Sequence, residues 1–344
     1  MRIALDLLGG DHAPDAVVAG ALLACAADPG LAVTLVGPPE VAAAALERAG
    51  AEPTALTVAP ASEVVSMDED PARGVRRKRD ATVRVAAALV RDGAADAMVS
   101  VGSTGAAMAA ALFTLGRLPG VTRPALAVAV PSVAGPVVLL DVGANAEAGA
   151  DLIVQHALAG AAYARVLGTA TQPRVGLLSV GTEPGKGDGV RKAADGALAA
   201  LDTSAGGPLR YAGLVEPAAI PVGGAADVVV TDGFTGNVVL KALEAMLVAV
   251  QRLLAGAGRP TGDVAAATVG WSEQAQGGAV LLGVDGVVVI GHGAAGADAV
   301  GAAVGTAAAG VRARLVPRLR AELEGLVARR RAAAGLPQRA PGNA

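Results

Sequence analysis

Cysteine, histidine and aromatic side chains are nearly missing from this chain of 344 residues. Its single cysteine, Cys25, excludes an intramolecular disulfide and a cysteine-built zinc site. The three histidines, His12, His156 and His292, leave little material for a histidine-based centre, so no metal is expected. Aromatics amount to 1% against 53% hydrophobic residues overall, so the core must be built from Ala, Val and Leu. A basic excess is also lacking: the net charge is -3, which provides no global field for nucleic acid. No long uninterrupted apolar run is present either. The N-terminal "MRIALDLLGGD" carries Asp6 and Asp11 too early for a secretory leader. The stretch "PALAVAVPSVAGPVVLL" is broken by Pro131, Gly135 and Pro136 and reads as two short buried strands joined by a turn, not as a membrane span.

What is present is a recurrence of short Val, Leu and Ile runs, such as "RIALD", "DAMVSV", "RVGLLSV" and "DVVVTD". They are continuous rather than alternating, which suits strands covered on both faces, as in a parallel sheet. Ala-rich stretches of helical length lie between many of them, including "PDAVVAGALLACAAD" and "TGAAMAAALFTLGRL". This alternation predicts a three-layer α/β/α, Rossmann-like sandwich with a mostly parallel sheet. One domain is expected over residues 1–331, ending in a C-terminal helix, with a disordered tail over 332–344.

Five strand ends carry small polar loops rich in glycine: Asp6–Pro14, Ser100–Ala106, Asp141–Ala148, Ser179–Gly189 and Thr231–Asn237. Any α/β protein needs turn and cap residues of this kind, but five together predict a shared polar cleft at one edge of the sheet, where such folds collect ligands. The loop "SVGTEPGKGDG" is not a nucleotide-binding P-loop. Only Thr182, Glu183 and Pro184 separate Gly181 from Gly185, and Gly187 follows Lys186 where Ser or Thr is required. "GHGAAG" at Gly291–Gly296 matches G-x-G-x-x-G formally, yet it lacks a following strand and an acidic ribose partner. A nicotinamide-dependent dehydrogenase is therefore a weak alternative.

"GGDHAP", "GTEPGKG" and "TDGFTGNVVLK" in combination resemble one family, the phosphate acyltransferases of bacterial phospholipid synthesis, over Met1 to about Arg314. The resemblance implies a homodimer with a phosphotransacetylase-like fold and no cofactor. It implies transfer of a fatty acyl group from acyl carrier protein (ACP) to inorganic phosphate, in the cytoplasm, with peripheral contact at the inner face of the plasma membrane. There the acyl phosphate passes to a membrane-bound glycerol-3-phosphate acyltransferase. The chain departs from the family pattern at Ser103, usually Asn, and at Gly293, Ala294 and Ala295, usually serines. The segment after Leu254 is also shorter and poorer in basic residues than the resemblance leads one to expect. A non-catalytic relative that binds acyl-ACP as a scaffold is a second alternative.

The chemistry is attack of a phosphate oxygen on a thioester carbonyl, so the site must hold an anion, stabilise an oxyanion and release a thiolate. In the implied site Lys186 is a point charge in a loop cradling one phosphate, with Gly181, Thr182 and Glu183 around it. Asn237 donates to the carbonyl oxygen, Asp232 orients a donor or is a turn residue, and His12 protonates the thiolate or is structural, while Lys186 is alternatively a solvated helix-start lysine. Asp6, Gly10, Asp11, Ser103, Thr104, Gly105, Asn145, Gly233, Phe234, Thr235 and Gly236 complete the substrate-binding set. Asn237 is alternatively an ordinary cap of a helix starting near Val238, and His156 reads as packing. Cys25 is expected mid-helix, buried and inert, so transfer is direct. The cluster Arg73, Arg76, Arg77, Lys78 and Arg79 is either a solvated face or the docking surface for an acidic carrier. The last helix, from about Val311, sets Leu315, Leu319, Leu323 and Leu326 on one face among seven arginines. This helix either packs on its own domain or, with the segment Leu247–Val269, makes weak contact with a membrane surface.

Overall fold

The computed structural model describes residues 1–202, 209–258, 262 and 277–333, with side chains as far as Glu324. Most of the expected tail and the later part of the Leu247–Val269 segment lie outside the described residues.

The apolar runs become strands β1 (Arg2–Asp6), β2 (Ala32–Val36), β3 (Thr57–Ala59), β4 (Ala97–Ser100), β5 (Ala125–Val130), β6 (Val137–Leu140), β7 (Arg174–Leu178), β8 (Arg210–Val215), β9 (Val228–Val230), β10 (Ala279–Leu282) and β11 (Val287–Ile290). The helices are α1 (Asp15–Ala27), α2 (Pro39–Arg48), α3 (Pro71–Arg77), α4 (Thr82–Arg91), α5 (Thr104–Thr114), α6 (Ala150–Leu167), α7 (Gly189–Leu201), α8 (Ala219–Val222), α9 (Gly233–Gly256), α10 (Ala297–Arg312) and α11 (Leu315–Ala333). No single helix among the described residues is long and apolar enough to cross a membrane.

All strands join one sheet in the order β3-β2-β1-β4-β11-β10-β5-β6-β9-β7-β8. Successive side chains of a strand point to opposite faces, and this divides the core in two. Ile3, Leu5 and Leu7 belong to one core layer with Val17 of α1, Ile153 of α6 and Val300 of α10. Ala4, Met98 and Leu139 face the other way, toward Ala86 of α4, Ala107 of α5 and Leu240 of α9. The result is the expected α/β/α sandwich. With so few aromatics, the layers close through small residues. Gly20 of α1 lies so near α10 that a β-carbon there would stand 2.5 Å from Val300 Cβ.

Seven of the ten strand pairings are parallel, but β11–β10, β10–β5 and β5–β6 are antiparallel. The β5–β6 hairpin is the one read from "PALAVAVPSVAGPVVLL". A hairpin reverses the chain, so β6, β7 and β9 run opposite to β1, β4 and β11. The expectation of five loops on one edge is therefore corrected. The loops after β1 and β4 lie at one edge, and those after β6, β7 and β9 lie at the other. Gly181 and Gly233 share that second edge.

The C-terminal helix packs on its own domain, one of its two expected readings. Leu315, Leu319 and Leu323 are buried in the protein's own core. Arg165 of α6 pairs with Glu322, Arg312 with Asp28, and Arg320 with Asp285. These three leucines are thus not available to a membrane, because apolar burial inside the domain already takes them, and the side chain of Leu326 lies outside the described residues.

Candidate functional site

At the first edge, the loops after β1 and β4 approach closely at Gly9 and Gly102. A β-carbon on Gly9 would stand 2.8 Å from both the Gly102 amide nitrogen and Asp6 Oδ2. Gly10 has φ +98, and the neighbouring Asp11 amide donates to Gly293 O at 2.7 Å, tying in the loop after β11. Asp6 is buried at the centre, its Oδ2 accepting from Ser100 Oγ at 2.7 Å. Burial pushes its carboxyl above the usual range, partly offset by the Thr82 and Ser100 hydroxyls. Ser103 caps α5, accepting from the Ala106 amide. Gly105 touches Pro71 of α3, which brings the basic helix alongside this edge. Asp6, Gly10, Asp11 and Ser103 do come together, around a cavity of about 170 Å³, and Thr82 and Ser66 join them.

At the opposite edge a buried carboxylate organises the loop after β6. Asp141 accepts from the amides of Leu126, Gly143, Ala144 and Asn145. Asn145 is buried beside it, its side-chain amide donating to Asp141 Oδ2 and Pro124 O, while its backbone carbonyl accepts from the Gly233 amide. Its side chain thus joins loops rather than facing a ligand. Asp232 caps α9, so the helix starts at Gly233 rather than near Val238, and Thr235 and Asn237 lie inside its first two turns. Gly236 has no room for a side chain, since a β-carbon would fall 1.9 Å from Asp141 O.

Arg191, in the first turn of α7, holds these loops together and was missed in the sequence. It donates to Asp232 Oδ2 at 2.6 Å, Asp188 Oδ2 at 2.7 Å, Thr235 Oγ1 at 3.1 Å and Leu178 O at 3.2 Å. Burial opposes ionisation of Asp232, but the Thr235 amide and hydroxyl and the Arg191 guanidinium outweigh it and hold the carboxyl below its ordinary value. Asp188 caps α7, and the Arg191 amide it accepts holds its carboxyl low as well. That helix N-terminus is thus occupied by a carboxylate rather than open to an anion. Lys186, two residues before, is exposed and makes no ion pair among the described residues. Arg123, likewise without an ion pair there, lines an open groove with Asp188, Arg191, Asp232, Phe234 and Thr235.

A cavity of about 290 Å³ spans the sheet face between the two edges. Thr104 and His292 come to it from the first edge, Gly143 and Asn237 from the second, and Lys241 follows Asn237 one turn along α9. Its floor is apolar, with Leu126, Val128, Ile290 and Leu240. Lys241 pairs with Glu244 at 2.7 Å beside it. Neither residue was singled out from the sequence; their i, i+3 spacing behind "FTGN" was the available signal.

The protein-family model described as "Fatty acid synthesis protein" matches residues 1–318. The chain belongs to this family. A phosphate acyltransferase of Desulfitobacterium hafniense is 42% identical over 334 residues, covering 94% of this chain and 97% of that one. One from Heliobacterium modesticaldum is 42% identical over 340 residues, covering 95% and 99%. Among solved structures, a phosphotransacetylase from Streptococcus pyogenes superposes with a TM-score of 0.62 at 21% identity, covering 91% of this chain and 94% of that chain, a likeness of fold.

For this member of the fatty acid synthesis protein family, the remaining expected residues fall as follows. His12 is exposed and lines neither cavity nor groove. His156 is buried as packing, with burial pushing its pKa down. Cys25 sits in the last turn of α1, half-buried rather than mid-helix, with burial pushing its thiol up and away from reactivity. Of the basic cluster, Arg73, Arg77 and Arg79 are exposed. Arg76 stacks 4.6 Å over Phe113, and Lys78 is tied to Glu69 and Val64 O. The strand after "GHGAAG" that a dinucleotide fold requires is replaced by α10 and α11.

Proposed function

We propose that this chain is an acyltransferase that moves a fatty acyl group from acyl-ACP to inorganic phosphate, yielding acyl phosphate and free carrier. One observation carries the reading: the first turns of α9 stand between a cavity with an apolar floor and polar rim and a groove lined by Arg123, which has no ion pair among the described residues. The thioester carbonyl sits at the rim with Asn237 as donor to its oxygen. Phosphate binds on the groove side, attracted by Lys186 and Arg123 and contacted by backbone amides of Gly181–Glu183. Asp232, locked to Arg191, fixes Thr235 and the Gly233–Gly236 turn.

An oxygen of hydrogen phosphate attacks the carbonyl carbon, the C–O bond forms, the C–S bond breaks, and the proton of the attacking phosphate passes to the leaving thiolate. His292 is the histidine on the cavity rim, and with the Ala294 amide donating to its Nδ1 it offers Nε2–H as a hydrogen-bond donor to the departing sulfur. It takes the place beside the leaving group that was expected of His12. Arg73, Arg77 and Arg79 meet the acidic carrier. Helix α9 exposes Met246, Val250 and Leu253 on one face, which supports homodimer formation and weak peripheral membrane contact, from which acyl phosphate reaches a membrane-bound glycerol-3-phosphate acyltransferase. Incubating the purified chain with acyl-ACP and phosphate, then trapping with hydroxylamine, should give acyl hydroxamate and free ACP in equal amounts. Intact acyl-ACP after exhaustive incubation would overturn the reading.

A further inference from the structure

The smaller cavity at the first edge has a feature that the transfer chemistry leaves unused. Asp6 is 4% exposed, lines the cavity, and its Oδ1 has no hydrogen-bond partner. The Thr82 hydroxyl and the Leu8 and Gly9 amides are near, but none meets Oδ1 in hydrogen-bonding geometry. An unpaired buried carboxyl oxygen is unfavourable by itself and is a docking point for a ligand with a hydrogen to donate. The lining decides which ligand. Asp6 and Asp11 contribute two carboxyl groups, Ser66, Thr82, Ser100 and Ser103 contribute hydroxyls, and no Lys or Arg is present. Phosphate is therefore disfavoured, and a neutral ligand bearing amide N–H and hydroxyl groups fits.

Position narrows the choice. Val64, Ser66 and Met67 of the loop before α3 line one side of the cavity, and Lys78 fastens that loop to α3 through Val64 O and Glu69. The basic face of α3 is thus its neighbour. On the other side the cavity adjoins the larger one. Ser103 lines the first and Thr104 the second, and Asp11 is bonded to Gly293 beside His292. We infer that this cavity holds the amide- and hydroxyl-bearing arm through which the carrier presents its thioester, with Asp6 Oδ1 accepting an arm N–H or O–H. The arm enters beside α3, passes Asp6, and delivers the thioester sulfur to the rim at Thr104 and Asn237. This rests on the acyl-ACP reading above.

Pantetheine, the arm without its protein, is the probe. Calorimetry should show it binding wild type and weakened about ten- to a hundredfold by Asp6→Asn, which keeps the acceptor for Ser100. Ser66→Leu fills the mouth from a half-buried loop position without touching Asp6, and should weaken pantetheine similarly. In both variants the ratio of kcat/KM for acyl-ACP over that for an acyl thioester of a short alkyl thiol should fall by the same factor. If acyl phosphate forms normally while pantetheine is indifferent to both variants, or fails to bind wild type, the arm site is wrong. If Asp6-dependent pantetheine binding occurs but wild type makes no acyl phosphate, the acyl-transfer reading fails and the arm site stands.

Discussion

Replacing Arg191 by Met should loosen the second-edge loops by an amount the geometry predicts. The Arg191 and Asp232 side chains are each 14% exposed and lie 2.6 Å apart. Removing one partner of a fully buried pair costs about 3–5 kcal/mol, because the other charge stays behind. Here Asp232 keeps the Thr235 amide and hydroxyl, each at 2.8 Å, and some solvent, which lowers the penalty. The Asp188 arm adds little, since that carboxylate is 58% exposed. The expected loss is about 2–3 kcal/mol. With roughly 2.1 cal/mol/K of unfolding entropy per residue, that is about 3–4 °C in Tm for a chain this long. Asp232→Asn in the Arg191→Met background should recover part of it, a coupling that urea denaturation of the double-mutant cycle measures. The pH dependence has a definite sign. The folded pKa of Asp232 is depressed, so its stabilising contribution is present above the unfolded value near 3.9 and is lost as pH falls through the folded one. The gap between wild type and Arg191→Met should therefore close below about pH 4. A variant within about 0.5 kcal/mol of wild type, or strictly additive effects in the cycle, would refute the reasoning.

Two further outcomes follow from charge placement. Lys186→Ala removes an exposed, unpaired ammonium, so it should leave Tm unchanged and raise the phosphate KM severalfold; unaltered phosphate saturation in initial-rate assays would dismiss its role. Arg73→Glu with Arg77→Glu should slow ACP association at least about tenfold at low salt, with the difference fading as ionic strength rises, as stopped-flow can record; equal rates at low salt would make α3 a solvated face.

Much of the fold was legible because apolar runs covered on both faces and Ala-rich spacers have a simple physical meaning. The hairpin is legible in "PALAVAVPSVAGPVVLL", but the reversal of strand direction that sends the loops to two edges is not. Local pattern reports strands, whereas direction depends on pairings between β5, β10 and β11 that are distant in sequence. At the site, the glycine-rich loops were visible because close backbone approach demands glycine, as at Gly9 and Gly236. Arg191 was hidden, since an arginine in the first turn of a helix looks like any solvated residue until Asp232, forty-one positions later, folds against it. The leucine stripe of α11 reads the same whether it faces a core or a membrane; only Leu315, Leu319 and Leu323 packed inside the domain decide between them.

The claim that the chemistry occurs where α9 begins is tested most directly by kcat for acyl phosphate formation in Asn237→Leu at saturating phosphate and acyl-ACP. Asn237 is exposed on the first turns of a helix already capped by Asp232, so the variant should fold normally. Loss of one oxyanion donor should lower kcat about 100- to 1,000-fold with little change in either KM. A folded Asn237→Leu enzyme that turns over at the wild-type rate would contradict the account.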